Sequence, residues 1–184
     1  YLTTSSFTWF PGLPIYRSRD LRNWEHIGDA LADGDWRGIV KLHDMRGIWA
    51  PTLRHHDGLF YIFGTERFRR ENFFITAKDP AGPWSAPVWI EPTGIDPSPY
   101  WENGRCYVAA VCDPHDGKRL PGRTEIYLQE IDQTTGRAIG PRHYLTTGAF
   151  PDSRVAEGAH IYRRNGRYWL LIAEGGMQQH AATL

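Results

Sequence analysis

The sequence predicts an all-β fold built from repeated β-hairpins. Aromatic residues are abundant, with 8 Trp, 9 Tyr and 8 Phe among 184 residues, as is typical of strands that pack on pleated surfaces. The chain also contains 19 Gly and 13 Pro, enough turn-forming residues to separate many short strands. Apolar and polar residues alternate along most of the chain, whereas the 3.6-residue period of an amphipathic helix is scarce.

Charge and cysteine content exclude several classes of protein. Lys and Arg together number 21, as do Asp and Glu, so nothing indicates a nucleic-acid or anionic-membrane partner, and we expect an uncharged one. No apolar run approaches the ~20 residues of a transmembrane helix. Two cysteines, Cys106 and Cys112, cannot form a disulfide framework, and we expect free thiols on one strand. The first residues do not resemble a signal peptide, and the location is predicted to be cytoplasmic.

Three segments share a tight-turn dipeptide followed by an apolar strand. The dipeptides are DG at 57–58, NG at 103–104 and NG at 165–166, which favour two-residue hairpin turns. The strands that follow are predicted at 59–64, 105–111 and 167–173, and shorter partner strands precede them at 52–55, 99–101 and 160–163. The same hairpin therefore occurs three times, with turn glycines 46 and 62 residues apart.

A second element repeats in step with the hairpins. A strand followed by a polar turn occurs at Asp20, Asp79 and, in a weaker copy, Asp132, with spacings of 59 and 53 residues. Such periods are typical of β-propeller blades, whereas unrelated hairpins in a sandwich would not repeat two elements in one order. At this repeat length 184 residues hold three to four blades, and closed propellers have about four to eight. Because the chain opens within a strand, we expect it to cover about three blades of a ring.

Two acidic residues lie just before repeated hairpins. Asp96 lies in GIDPSPY and Glu157 in VAEGAHIY, where the innermost strand of a blade begins, so both are predicted to face one channel. Two converging carboxylates are the machinery of glycoside hydrolysis, although a single acid at a strand start is more often a turn-capping or solvated residue. Trp49 occupies a similar position in the preceding repeat, either as a platform for a sugar ring or as a wedge between blades.

Seven segments, in order along nearly the whole chain, resemble family 43 glycoside hydrolases, and in particular their β-xylosidase and α-L-arabinofuranosidase branch. They are YLTTSSF at 1–7, FPGLPI at 10–15, SRDLRNW at 18–24, GIWAP at 47–51, GIDPS at 94–98, EGAHIY at 157–162 and LIAEGG at 171–176. The resemblance implies a five-bladed propeller with its active site in the axial funnel, and an inverting mechanism with three carboxylates.

The resemblance also implies roles for individual residues. Glu157 matches the general acid, and Asp96 matches the acid that orients Glu157 and keeps its pKa high. Phe7 and Trp49 match aromatic residues that line the subsite for the terminal sugar. The general base would be an Asp preceding Tyr1, at roughly 6.5–9.5 Å from the acid. Residues 1–184 are thus expected to be part of a catalytic propeller domain, truncated at both ends and with little or no activity alone.

The chain departs from the family pattern in two places. VCD stands at 111–113, where the branch often has a Trp, which leaves the subsite preference open. MQQH follows LIAEGG, at 177–180, so His180 comes about one residue earlier than the His that usually follows this motif in the family. His180 is expected to line the channel, either near a bound cation or as a hydrogen-bonded histidine without metal. No cofactor is otherwise expected.

The predicted function is removal of xylose or arabinose from the non-reducing ends of hemicellulose oligosaccharides such as those of xylan. A propeller that binds carbohydrate without cleaving it, and a protein-interaction propeller, are the alternatives. The pair Asp96 and Glu157 separates them, because a lectin does not need a protonated acid in its channel.

Overall fold

The computed structural model describes residues 1–31, 47–67, 71–115, 123–150, 155–176 and 182–183. Over these ranges the regular secondary structure is entirely β, as predicted. The strands are β1 Leu2–Thr3, β2 Gly12–Arg17, β3 Glu25–Leu31, β4 Ile48–His56, β5 Leu59–Glu66, β6 Glu71–Ala77, β7 Val88–Ile90, β8 Ile95–Glu102, β9 Arg105–Cys112, β10 Glu125–Ile131, β11 Ala138–Thr146, β12 Ala156–Arg164, β13 Arg167–Glu174 and β14 Ala182–Thr183.

The strands form four antiparallel sheets, each a meander of consecutive strands. Strands β4 to β7 and β8 to β11 make two four-stranded sheets, while β1 to β3 and β12 to β14 make two three-stranded sheets. The predicted hairpins join β4 to β5, β8 to β9 and β12 to β13. Both central residues of each turn have positive φ, the requirement of the type I′ turn that matches the twist of paired strands.

The repeated Asp turns show which strands are equivalent. Asp20, Asp79 and Asp132 follow β2, β6 and β10, and the Oδ1 atom of each accepts hydrogen bonds from backbone N–H groups two or three residues later. Strands β2, β6 and β10 are therefore equivalent, and β6 and β10 are the third strands of their sheets. In the described ranges the four sheets follow one another as blades or parts of blades, two of them with four strands. A partial propeller is thus confirmed, whereas the predicted coverage of about three blades stays a prediction.

The hydrophobic core lies between neighbouring sheets. The sheets are numbered in chain order: β1 to β3 form the first, β4 to β7 the second, β8 to β11 the third and β12 to β14 the fourth. One apolar cluster joins the first and second sheets, another joins the second and third, and another joins the third and fourth. Successive residues of β5 contribute to different clusters: Ile62 faces the first sheet and Phe63 the third. A strand that is covered on both faces needs a nearly continuous apolar run, which explains the segment LFYIFG at 59–64. Each four-stranded sheet is thus sandwiched between two others.

The two thiols are free, as predicted, and lie on β9. Cys106 is buried in the cluster between the second and third sheets, and Cys112 is half-buried. Burial raises the pKa of Cys106 to about 12, so this thiol is an inert core residue at neutral pH. Among the residues described, there is no helix with the length and apolar character needed to cross a membrane.

Candidate active site

The innermost strands of three successive blades each contain a β-bulge at the same place. The regular ladder is interrupted in β4, β8 and β12, and resumes at the middle of each strand. The interruptions lie between Trp49 and Thr52, between Ile95 and Ser98, and between Glu157 and His160. A bulge re-aims the side chains beside it and is common next to active sites. The repeated bulge therefore marks one end of the inner strands as the place where functional side chains gather.

Alignment of the bulges corrects the predicted equivalence of Trp49 with both acids. Trp49 and Glu157 occupy the same register position, but Asp96 lies one residue later, at the position of Gly158. Asp96 has a φ of 54° and Gly158 a φ of 60°, in the left-handed region that glycine and aspartate tolerate best. The positive φ turns the Asp96 carboxylate out of the simple alternation that the sequence pattern assumes.

The structure brings Asp96 and Glu157 together from adjacent blades. The Oδ2 atom of Asp96 accepts a hydrogen bond of 3.2 Å from the N–H of Gly158, the residue directly after Glu157. Both acidic side chains are half-buried. Two carboxylates carried by neighbouring inner strands thus lie close enough for the charge of Glu157 to act on Asp96, and their facing a common channel stays a prediction.

Burial raises the pKa of both carboxyl groups. Burial, reinforced by the charge of Glu157, raises the pKa of Asp96 to about 6, although the hydrogen bond from Gly158 opposes the shift. Burial also raises the pKa of Glu157. Repulsion between the two carboxylates is reciprocal, so ionisation of one favours the protonated form of the other. The site therefore favours the protonated form of both acids relative to free carboxyl groups, which is the direction that an acid catalyst needs.

The predicted aromatic residue Phe7 lies beside β4, the strand that carries the other one, Trp49. Phe7 and Ile48 exchange two backbone hydrogen bonds of 3.0 Å, which places Phe7 beside the strand position that precedes Trp49. The guanidinium of Arg67 lies 4.7 Å from the centroid of the Trp49 ring. A Cβ atom at Gly47 would lie 2.1 Å from the Phe7 carbonyl oxygen, so this close approach requires glycine. Their contact with a sugar stays a prediction.

Further polar residues support the strand of Glu157, although the sequence did not single them out. The Thr124 hydroxyl forms two hydrogen bonds with the backbone of Ala156. It donates to the Ala156 carbonyl oxygen at 2.7 Å and accepts from the Ala156 N–H at 2.8 Å. Glu174 is only 1% exposed, and its carboxylate accepts hydrogen bonds from the N–H groups of Ala149 and Phe150. These partners are 24 to 32 residues apart in the chain, so only the fold reveals them.

A metal centre is not evident in the described ranges, where no three His, Cys, Asp or Glu side chains are grouped to hold an ion. His180 lies outside the described residues. The cation that was predicted near it therefore stays a prediction.

Comparison with known proteins agrees with the fold. The family model for glycosyl hydrolases family 43 matches residues 1–184. A xylosidase/arabinosidase of Butyrivibrio fibrisolvens is 41% identical over 189 aligned positions, which cover 100% of this chain and 36% of the relative. A non-reducing end α-L-arabinofuranosidase of Bacteroides ovatus is 37% identical over 180 positions, with 96% of this chain and 32% of the relative covered.

Solved structures show the same architecture. A xylan β-1,4-xylosidase from Bacillus halodurans C-125 superimposes with a TM-score of 0.81 at 32% identity, over 98% of this chain and 36% of that protein. The chain thus spans about a third of the length of the relatives that it matches. With the family model matched from the first residue to the last, and with a shared propeller architecture, the chain belongs to glycosyl hydrolases family 43.

Proposed function

We propose that the protein is an inverting exo-acting glycosidase that removes xylose or arabinose from the non-reducing ends of hemicellulose oligosaccharides. The observation that carries this proposal is the hydrogen bond from the Gly158 N–H to Asp96, which ties the Asp96 carboxylate to the strand of Glu157 in a family 43 chain. The names of the relatives, a xylosidase/arabinosidase and a non-reducing end α-L-arabinofuranosidase, support the choice of sugars.

Glu157 is the proposed general acid. Cleavage of a glycosidic bond needs a proton on the leaving oxygen as the anomeric carbon becomes positive. Burial raises the pKa of Glu157, which favours the protonated form that the substrate must meet. Asp96 is the proposed neighbour that orients this acid and, when ionised, keeps its proton in place.

The general base and the attacking water complete the mechanism. In an inverting enzyme a second carboxylate removes a proton from water on the opposite face of the sugar. The proposed base is the Asp preceding Tyr1 that the family resemblance implies. Phe7 and Trp49 are the proposed platform for the apolar face of the terminal sugar, and the neutral net charge of the chain fits an uncharged substrate.

The test is Glu157→Ala in the full-length protein, assayed on substrates with good and poor leaving groups. Nitrophenyl xyloside and nitrophenyl arabinofuranoside release nitrophenolate, a good leaving group that needs no proton. Xylobiose releases a sugar alcohol, whose oxygen must be protonated as the bond breaks. We expect kcat on xylobiose to fall by ~10²–10⁴-fold, and kcat on the nitrophenyl glycosides to fall much less.

Glu25→Ala is the matched control, because Glu25 is an exposed glutamate outside the channel. It should leave both rates unchanged. Equal losses on both kinds of substrate in Glu157→Ala would contradict the acid role. A wild-type protein that binds these sugars without cleaving them would support the carbohydrate-binding alternative instead.

A further inference from the structure

A second polar contact joins the inner strands below the two carboxylates. The side chains of Arg54 on β4, Ser98 on β8 and His160 on β12 meet at one atom. The Arg54 guanidinium lies 2.7 Å from the His160 Nδ1 atom, and the Ser98 hydroxyl lies 2.9 Å from the same nitrogen. Three successive blades thus contribute one residue each to a single contact, which spans 106 residues of sequence between Arg54 and His160.

The chemistry of the partners determines the state of the imidazole. A guanidinium only donates hydrogen bonds, so the Nδ1 atom of His160 must accept and its proton must reside on Nε2. Burial and the charge of Arg54 lower the pKa of His160 to about 4, which agrees with a neutral ring. The Ser98 hydroxyl is buried with its residue only 2% exposed, and it donates to the same acceptor.

The guanidinium itself is held in place by its surroundings. Its other terminal nitrogen donates to the carbonyl oxygen of Leu53 at 3.1 Å. Its carbon lies 5.6 Å from the centroid of the Tyr162 ring, within the range of a cation–π contact. Arg54 is therefore a fixed donor that reaches from one blade to the blade after next.

The position of this contact relates it to the candidate acids. Ser98 is two residues after Asp96, and His160 is three residues after Glu157. Strands β8 and β12 are consequently linked twice, by the Gly158 N–H to Asp96 and by Ser98 with His160. The first link lies within the two bulges, and the second lies at Ser98 and His160, the residues at which regular pairing resumes.

We propose that Arg54 is a positioning residue, which acts through His160 and Ser98 to hold the Asp96 strand and the Glu157 strand at the separation that catalysis requires. This inference rests on the proposed function, because it assigns Asp96 and Glu157 to the reaction. A displacement of about 1 Å in a catalytic group can cost ~10²-fold in rate. A contact that is remote from the sugar but fixes the positions of the two strands can therefore still control kcat.

The test compares His160→Asn with His160→Gln in the full-length protein. The Asn Oδ1 atom occupies the place of Nδ1 and can still accept from Arg54, whereas the longer Gln amide reaches toward the place of Nε2. We expect His160→Gln and Arg54→Met to lose ~10²-fold in kcat with KM changed less than threefold. His160→Asn should retain kcat within about tenfold.

The pH–rate profile is a further readout that general destabilisation would not move. The charged or titratable groups beside His160 are Arg54 on β4 and Tyr162 on β12. Along the strands, Asp96 on β8 is two residues before Ser98, and Glu157 on β12 is three residues before His160. His160→Gln and Arg54→Met should displace the basic limb of kcat/KM, whereas His160→Asn should not. Equal kcat and equal profiles for the Asn and Gln variants, at similar melting temperatures, would overturn the proposal.

Nitrogen NMR of histidine-labelled wild-type protein tests the contact without an activity assay. The His160 signal should show an unprotonated Nδ1 and a protonated Nε2 from pH 5 to 8, and its pKa should rise in Arg54→Met. A protonated Nδ1 would contradict the positioning role of Arg54, while the proposed glycosidase function would stand. An inactive wild-type protein with an unprotonated Nδ1 would overturn the glycosidase function, and the positioning role with it.

Discussion

At the scale of single residues, the central question is which of the two carboxylates holds the shared proton. The family resemblance assigns the proton to Glu157, yet burial and the charge of Glu157 raise the pKa of Asp96 to about 6. An Asp96 that is ionised during catalysis would raise the pKa of Glu157 by repulsion, whereas a protonated Asp96 would not. Removal of the Asp96 carboxylate would lower the pKa of Glu157 in the first case and leave it unchanged in the second.

Asp96→Asn separates these cases, because asparagine keeps the shape of the side chain and can still accept from the Gly158 N–H. If Asp96 is ionised, its loss lowers the pKa of Glu157, so the acid deprotonates earlier as the pH rises. We therefore expect the basic limb of kcat/KM to move to lower pH in Asp96→Asn. The measurement is a pH–rate profile of full-length wild-type and variant proteins on xylobiose. An unmoved basic limb would show that Asp96 works in its protonated form.

The sequence was informative about these residues to different degrees. Asp96 and Glu157 were identified because each interrupts an apolar strand start within a repeated hairpin. Arg54 and His160 lie within predicted strands, where alternation alone gives a polar residue no special role. Their meeting depends on how three blades are arranged around the axis, which no local pattern encodes.

At the scale of the element, the bulge in β8 depends on the glycine that precedes it. Gly94 has a φ of 137°, and a Cβ atom there would lie 2.0 Å from the Val111 carbonyl oxygen. That oxygen belongs to the paired strand β9, so it cannot move without breaking the ladder. The close approach of the two backbones is what lets Asp96 leave the regular pleat.

Gly94→Ala should therefore destabilise the protein far more than Gly104→Ala. Both glycines have positive φ, but a Cβ atom at Gly104 would meet nothing within 4 Å, so Gly104→Ala costs only the ~1–2 kcal/mol of a left-handed alanine. The steric clash at Gly94 adds to that strain, and we expect a loss of more than ~3 kcal/mol. Thermal unfolding of both full-length variants measures the difference. Similar melting temperatures would mean that β8 and β9 can separate without cost.

At the scale of the whole molecule, stability comes from the packing of one blade on the next. Phe63 on β5 is 1% exposed and belongs to the cluster between the second and third sheets. Its ring stacks on Phe74, with the centroids 5.0 Å apart. No sheet in the described part of the chain has a core of its own, so a cavity at one interface weakens the attachment of two blades.

We expect Phe63→Ala to reduce the free energy of unfolding by ~3–5 kcal/mol. Leu21→Ala is the control, because Leu21 is 79% exposed and a surface change of this kind stays within about 0.5 kcal/mol. Denaturant unfolding of the full-length variants provides the comparison. A loss below about 1 kcal/mol in Phe63→Ala would show that the inter-blade cluster adapts to the missing ring.

The sequence by itself determined the β-class of this protein, its hairpin turns, its repeated Asp turns and the two acids at strand starts. Each of these is a local property, because turn type and strand alternation depend on residues only a few positions apart. The one-residue offset between Asp96 and Glu157 is different, since it arises from bulges in the pairing of β8 and β12 with their neighbours.

Only the tertiary structure decided which side chains of different blades meet. The contact of Arg54 with His160 joins strands that are 106 residues apart, and its existence depends on the angle at which successive blades pack. That angle is determined by side-chain volumes distributed over all the inter-blade clusters. A sequence pattern therefore places each residue on its strand, while the packing of the blades selects its partners.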